Sequence, residues 1–477
     1  MSSVNSAFKQ AGVKLPLRAV VMGLGRFGGG VGVSRWLAQQ GCRVVVTDTE
    51  PADKLATSIA HLRDVPVELQ LGGHDAAILD HCDLLVVNPA VDKAKSAFVQ
   101  QAIARGIPLT TEINLFVERC PAITIGVTGS VGKSTTTAMI AAAVDAARQN
   151  GVGGAEWGSV YAGGNIGRSL LADLGHIVPQ DCVVLELSSF MLEDTPLAGW
   201  SPHIAVVTNL KPNHLDRHGT MEQYAAAKKN ILRFQTPGDI AIINQDDAAV
   251  WAWRAECRGR VIGYSTVGAK ALALQVPGVH NQSNAHAALA VLGALGIESG
   301  SDAWRAGCDA LHAFKGLPHR LELVHTQALP HGRSIRWFND SKATTPEASI
   351  TALRAFARQS FICIVGGYDK HLDMSDFVRE LAERAGGVLG IGATGQMLVD
   401  KVVASGAVTP PRAKYVQTLA AAVEVAGQWV GDADGADKLD VVLLSPASAS
   451  WGQFENYEVR GAQFAALAKN QMAGKVD

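Results

Sequence analysis

Between Thr128 and Ser134 the chain reads Thr-Gly-Ser-Val-Gly-Lys-Ser. Glycines at 129 and 132 let backbone N–H groups crowd round an anion, Lys133 adds a mobile cation, and the Ser134 hydroxyl can reach Mg²⁺. That combination suits the phosphates of a nucleotide, although the strict pattern asks for glycine where this chain has Val127. Further on, Glu186 ends the apolar run Val183-Val184-Leu185 and is followed by Leu187-Ser188-Ser189-Phe190. A carboxylate leaving a strand beside a phosphate loop can hold Mg²⁺ against phosphate oxygens. The segment Thr208 to His218 then packs His214, Asp216, Arg217 and His218 together. Lys228 closes Tyr224-Ala225-Ala226-Ala227-Lys228, and taken alone it reads as part of a solvated helix face beside Lys229.

A second glycine turn, Gly23-Leu24-Gly25-Arg26-Phe27-Gly28, is trailed by Asp48. Glycine turn, helix and an acid about twenty residues on form a dinucleotide fingerprint, in which Asp48 could bond a ribose 2′-hydroxyl. Alone it would indicate an NAD-dependent oxidoreductase or a nucleotide-binding sensor without chemistry. Neither needs a second phosphate loop with metal-capable partners. Asn281 and Asn284, three apart at a helix start, share a face and can present donor and acceptor together to an adenine edge; both are also ordinary first-turn residues.

These residues need a scaffold, and the sequence supplies one by alternating β-branched runs with alanine-rich stretches. Ala19–Met22, Val44–Thr47, Leu84–Val87 and Ala122–Val127 read as strands, and Val31–Gln40 and Thr135–Ala147 as helices. The alternation is the βαβ signature of parallel sheets covered by helices. Gly316-Leu317-Pro318-His319 suits a hinge. Beyond it, strands at Phe361–Val365, Val388–Ile391 and Val441–Leu444 interleave with helical segments such as Leu419–Val430. Gly151–Gly164 reads as a loop insertion. At roughly 100–200 residues per domain, a chain of 477 residues should hold two to four domains, and three fit this pattern.

A net charge of -2 leaves no basic surplus for gripping nucleic acid or anionic lipid, so any phosphate recognition is local and the substrates are small molecules. Met1 to Lys14 lacks the layout of a secretory signal, and no apolar run approaches membrane-spanning length. The 7 cysteines are widely spaced without a CxxC pair, which fits thiols in a reducing compartment and argues against a disulfide framework or thiolate metal site. A cytoplasmic enzyme is expected.

The phosphate loop resembles that of the Mur ligases and folylpolyglutamate synthetases, with Val131 where that form has asparagine. The likeness tightens over Gly163-Gly164-Asn165-Ile166-Gly167, Glu186 to Phe190, His214 to Arg217, Tyr224 to Lys228, Leu317 to Glu322, Asn339 to Thr344, Gly366 to Lys370 and Leu444 to Ser450. These segments occur in the order seen in the Mur ligase branch that joins D-glutamate to UDP-N-acetylmuramoyl-L-alanine.

The resemblance implies three α/β domains: a Rossmann-like UDP-substrate domain over 1–113, a central P-loop ATPase domain with a parallel sheet over 114–316, and a C-terminal Rossmann-like glutamate domain over 317–477. It implies ATP as cosubstrate, two Mg²⁺ sites and a CO₂-derived carbamate on Lys228. Ser134 and Glu186 would serve one ion, His214 and Lys228 the other, and Lys133, Glu186, His214 and Lys228 would carry the catalysis. ATP would be held by Gly129, Ser130, Gly132, Lys133, Ser134, Thr135, Asn281, Asn284, Arg320, Asp340 and Lys342. The UDP substrate would fall to Gly25, Arg26, Phe27, Thr49, Asn165 and Ser188, and glutamate to Thr344, Lys370, Ser450, Trp451 and Tyr457. Besides Val131, four positions depart from the pattern: Glu50 replaces a basic residue, Met191 a glutamine, Trp451 a leucine and Tyr457 a phenylalanine. The partners implied are UDP-N-acetylmuramoyl-L-alanine and glutamate, the latter as the D-enantiomer, acted on by a monomer. Within the same superfamily, extension of folate or of a longer muramoyl peptide is the alternative.

Overall fold

The computed structural model describes residues 17–25, 28–150, 158–329, 333–407, 411–431 and 439–470. Five strands, β1 (Arg18–Met22), β2 (Arg43–Asp48), β3 (Val67–Leu71), β4 (Leu84–Val87) and β5 (Leu109–Thr110), form a parallel sheet in the order β3-β2-β1-β4-β5. Strand order reverses between β1 and β4, the kind of position at which doubly wound sheets bind ligands beyond their strand ends.

The second sheet holds β6 (Ile123–Thr128), β7 (Val160–Gly164), β8 (Cys182–Glu186), β9 (Ile204–Val207), β10 (Ile240–Asn244) and β11 (Arg260–Tyr264) in the order β11-β10-β9-β6-β8-β7. Every pairing is parallel. Buried on both faces, its inner strands are near-continuous in apolar residues. The helix Lys133–Gln149 rises from β6 and buries Met139, Ile140, Ala143, Val144 and Ala147, one stripe at helical spacing.

The third sheet orders β12 (Glu322–Ala328), β13 (Ser334–Asn339), β14 (Phe361–Val365), β15 (Gly387–Ile391), β16 (Arg412–Gln417) and β17 (Val441–Leu444) as β12-β13-β17-β14-β15-β16. All of its pairings are parallel except β12 with β13.

The expected α/β class and parallel sheets are therefore present, and each predicted strand lies where the apolar runs placed it. Two features differ. Gly151–Gly164 is not a loop throughout, because Val160–Gly164 pairs along β8 as an edge strand; Val160 and Tyr161 favour extended backbone, a preference hidden by the surrounding glycines. Residues 151–157 lie outside the described part. The antiparallel β12 was also not anticipated, since an edge strand carrying Glu322, His325, Thr326 and Gln327 has no apolar run to betray it.

The chain divides into two compact units, residues 1–270 with 283–310, and 271–282 with 311–477. The first two sheets share a unit because one cluster of buried side chains runs from Val21 and Trp36 through Ile113 and Phe116 to Leu171 and Leu187. Among the described residues, no helix is long and apolar enough to cross a membrane.

Candidate active site

Parallel strands end together, so the residues that follow β6, β8 and β9 meet at one edge of the second sheet. Gly132 caps the helix Lys133–Gln149 at φ 84, a left-handed conformation costly to any residue with a Cβ. Gly129 is required by crowding, as a Cβ there would sit 2.0 Å from the Thr208 hydroxyl oxygen. Lys133 folds back over the turn, its Nζ donating to the carbonyls of Gly129 and Ser130, each at 3.1 Å. Ser134 is buried at the helix start and Thr135 half-buried beside it. The first-turn N–H groups have no acceptor within the helix, which leaves them for an anion.

Val127 pairs with Glu186, so the carboxylate emerges next to the loop. Glu186 is buried; Oε1 accepts from Asn165 Nδ2 at 2.9 Å, whereas Oε2 is buried with no hydrogen-bond partner. Leaving such an oxygen bare costs on the order of 1–3 kcal/mol, which a cation held there would offset. Among the described residues no three His, Cys, Asp or Glu side chains converge on a metal position. A divalent ion here would therefore need hydroxyl and phosphate oxygens besides Glu186, a donor set that suits Mg²⁺.

Opposite stands the helix Met221–Arg233. Lys228, 1% exposed, donates from Nζ to the Gly129 carbonyl at 2.8 Å and lies 4.7 Å from the Tyr224 ring centre. Burial, reinforced by the nearby Lys133 ammonium and partly opposed by Glu186, pushes its amine down to about 7. The neutral amine, with its lone pair, is thereby favoured relative to an exposed lysine.

His214 is exposed and held at φ 54, a backbone conformation rare for a non-glycine residue and one that marks positioned side chains. Its ring centre lies 5.0 Å from that of Phe190, and desolvation together with Lys133 lowers its imidazole below the usual range. Ser188 caps the helix Ser189–Ala198 by accepting from the Met191 N–H at 3.2 Å. Asn284 accepts from the Thr136 hydroxyl at 3.0 Å and approaches Gly132, whereas Asn281 turns back to the Pro277 carbonyl at 2.7 Å. The two amides are thus used differently.

In the first sheet, the Gly25 N–H donates to Asp48 Oδ2 at 3.0 Å and the Glu50 N–H to Oδ1 at 2.9 Å, so Asp48 holds the glycine turn itself. Thr49 is exposed at the end of β2; Arg26 and Phe27 lie outside the described residues.

The second unit gathers its own set where β13, β14 and β17 end. Asp340 is buried, accepting from the Leu321 N–H at 3.2 Å and the Ser445 hydroxyl at 2.9 Å; burial drives its carboxyl up to about 7 despite Arg320. Lys342 Nζ lies 5.3 Å from the Tyr457 ring centre, and Lys370 Nζ the same distance from that of Trp451. The Trp451 ring packs edgewise at 5.7 Å from Tyr368 and is 56% exposed. Ser450 is buried, and the Thr344 N–H donates to the Lys342 carbonyl at 2.9 Å.

Several contributors had no role assigned from sequence. Tyr224 donates to Ser130 Oγ at 3.1 Å, a partnership that its i,i+4 spacing to Lys228 could have flagged. His218, buried, bonds Ser189 at 2.9 Å and Glu193 at 3.0 Å. Arg460, fully buried, donates to the Ser341 hydroxyl at 2.9 Å and the carbonyls of Ser341 and Ser448 at 2.8 and 3.1 Å, joining the loops after β13 and β17.

A strand, glycine turn and helix on a parallel sheet, with a lysine over the turn and a bare carboxylate beside it, define a nucleoside-triphosphate-handling protein of the P-loop class. Comparison with known proteins narrows the class. Residues 17–111 match the MurD-like N-terminal domain of Mur ligases, 127–275 the Mur ligase middle domain, and 319–448 the Mur ligase glutamate ligase domain. A curated UDP-N-acetylmuramoylalanine--D-glutamate ligase of Symbiobacterium thermophilum is 36% identical, the alignment covering 96% of this chain and 99% of that protein. One of the same name from Pelotomaculum thermopropionicum is 35% identical over 94% and 96%. The chain belongs to the Mur ligase family. The crystal structure of the MurF ligase of Thermotoga maritima in complex with ADP shares the fold at a TM-score of 0.53, with 15% identity over 97% of this chain and 100% of that one.

Proposed function

We propose that this Mur ligase adds glutamate to UDP-N-acetylmuramoyl-L-alanine, an ATP-dependent amide-forming step of peptidoglycan precursor synthesis, in the cytoplasm and as a monomer. In the reaction, an alanyl carboxylate oxygen attacks the γ-phosphorus of ATP and ADP leaves. The amine of glutamate then adds to the acyl phosphate carbonyl, the tetrahedral intermediate expels phosphate, and the amine gives up a proton. Water must be kept from the acyl phosphate.

The observation that carries this reading is Lys228, an amine buried against the Gly129 carbonyl, where burial pushes it down to about 7. A neutral amine attacks CO₂ at carbon, loses a proton and becomes a carbamate, which turns a repelling cation into an oxygen-bearing anion. Mg²⁺, when bound, neutralises the phosphate charge that builds during transfer. Ser134 and Glu186 would hold one ion, and His214 with the carbamate a second. Lys133 and the first-turn N–H groups hold the ATP phosphates, with Gly129, Ser130, Gly132, Thr135 and Asn284 beside them, and Asn281 is assigned to the nucleotide by the resemblance. Arg320, Asp340 and Lys342 are assigned to the nucleotide as well.

Gly25 and Thr49 are assigned to the UDP group, with Asn165 and Ser188 toward the muramoyl end. For the amino acid we assign Lys370, Thr344 and Ser450, walled by Trp451 and Tyr457. The glutamate is taken as the D-enantiomer carried in the curated relatives' name. The division at 113/114 and 316/317 belongs to the same proposal.

The test is a reconstitution. Phosphate should appear only when UDP-N-acetylmuramoyl-L-alanine, ATP, Mg²⁺ and glutamate are all present. Release without the sugar nucleotide would refute the reading, and running D- and L-glutamate in parallel fixes the enantiomer. A longer muramoyl peptide or a folate in place of the acceptor tests the alternative.

A further inference from the structure

We infer that Asn209 is a positioning residue that sets the shape of the phosphate loop by clamping the backbone of Val131. The Asn209 carboxamide meets that residue from both sides: the Val131 N–H donates to Oδ1 at 3.0 Å, and Nδ2 donates to the Val131 carbonyl at 2.9 Å. Main-chain bonding continues the pairing, with the Ser130 N–H donating to the Asn209 carbonyl at 3.0 Å. Thr208 adds its hydroxyl to the Thr128 and Val131 carbonyls, each at 3.2 Å. Ser130 completes a zipper, its Oγ donating to the Lys211 carbonyl at 2.9 Å and accepting from the Lys211 N–H at 2.8 Å.

Val131 has no polar side-chain atom of its own, and that side chain is 59% exposed, so its conformation is fixed from outside. Asn209 is suited because one planar group offers donor and acceptor at the spacing of a peptide. The clamp also withdraws the Val131 N–H from the anion. The first-turn N–H groups of the helix Lys133–Gln149 are left as the donors a phosphate meets. Asn209 touches no substrate in this role; it acts through the loop.

This inference rests on the proposed nucleotide-handling role for its functional consequence, but the clamp itself can be measured without it. Hydrogen exchange on the full chain reads the Val131 amide directly. In Asn209→Ala, Val131 should exchange about tenfold faster or more, the scale of one lost hydrogen bond, whereas Asn209→Asp, which retains the acceptor for the Val131 N–H and loses only the donor to its carbonyl, should keep most of the protection. The β6 amides should not change. Titration with Mg·ATP should show roughly ten- to a hundredfold weaker binding at an unaltered melting temperature, with the KM for the sugar nucleotide unmoved. Unchanged exchange at Val131 in Asn209→Ala, or nucleotide affinity within about twofold of the parent in that variant when folded, overturns the clamp. A parent protein that binds no Mg·ATP sinks the ligase reading instead, and exchange at Val131 still decides whether the clamp exists.

Discussion

The ammonium nitrogen of Lys228 lies 2.8 Å from the carbonyl oxygen of Gly129. One turn earlier on the same helix, Tyr224 bonds Ser130 at 3.1 Å, so two side chains at i and i+4 grip consecutive residues of the phosphate loop. The helix Met221–Arg233 thus meets the loop through two polar side chains one turn apart.

Lys228→Ala should lower turnover by roughly a hundred- to a thousandfold, the scale on which preorganised charge acts at a phosphoryl centre. Acetate or formate, occupying the vacated space as carboxylates, should restore part of it in a concentration-dependent way. Steady-state phosphate release with and without the added acid is the measurement, and full activity in the unrescued variant would refute the carbamate role.

Glu186→Gln separates function from stability. The amide keeps an oxygen for Asn165, puts an uncharged NH₂ where the bare oxygen was, and so removes a buried charge. Apparent Tm should rise by about 2–4 °C, while kcat falls about a hundredfold. A variant both more stable and less active is the expected signature; a fall in both would mean that Glu186 is structural.

Trp451→Leu should raise the KM for glutamate and leave the KM for ATP alone. The indole holds Lys370 by a partly exposed cation–π contact. Such contacts contribute about 0.5–1 kcal/mol, or about two- to fivefold in affinity. Trp451→Phe, which retains a ring, should recover most of the loss.

Asp340 makes stability depend on pH. Burial disfavours the ion and pushes its folded carboxyl up to about 7, whereas an unfolded aspartate ionises near 3.8. The folded state therefore binds more protons between those values, and stability falls as pH rises through the window. Asp340→Asn, which cannot ionise, should melt above the parent by a gap that is largest at pH 8 and vanishes toward pH 4. Thermal melts across that range test it, and a constant gap would contradict the burial argument.

Much of this was written locally. The run into Thr128 and the Gly-Lys-Ser that follows announce strand, turn and helix because each signal sits within a few residues of the next. Glu186 was legible for the same reason. Lys228 was not: on composition its helix face reads as solvated, and only likeness to known ligases marked it. Its burial comes from packing against a loop 99 residues away. The bond from Asn209 spans 78 residues and leaves no periodic trace. Edge strands β7 and β12 escaped because one is rich in glycine and the other polar, and pairing partners, not propensity, made them strands.

Arg217 donates to the carbonyls of Ala90 and Val91 at 3.1 and 3.0 Å, and Lys93 meets Asp194 at 2.7 Å. These links fasten the loop after β4 to the helices of the second sheet. On the proposed reading, an acceptor reaching from the glycine turn after β1 toward the phosphate loop would cross a span braced by these contacts, and its length would be felt before any bond is made.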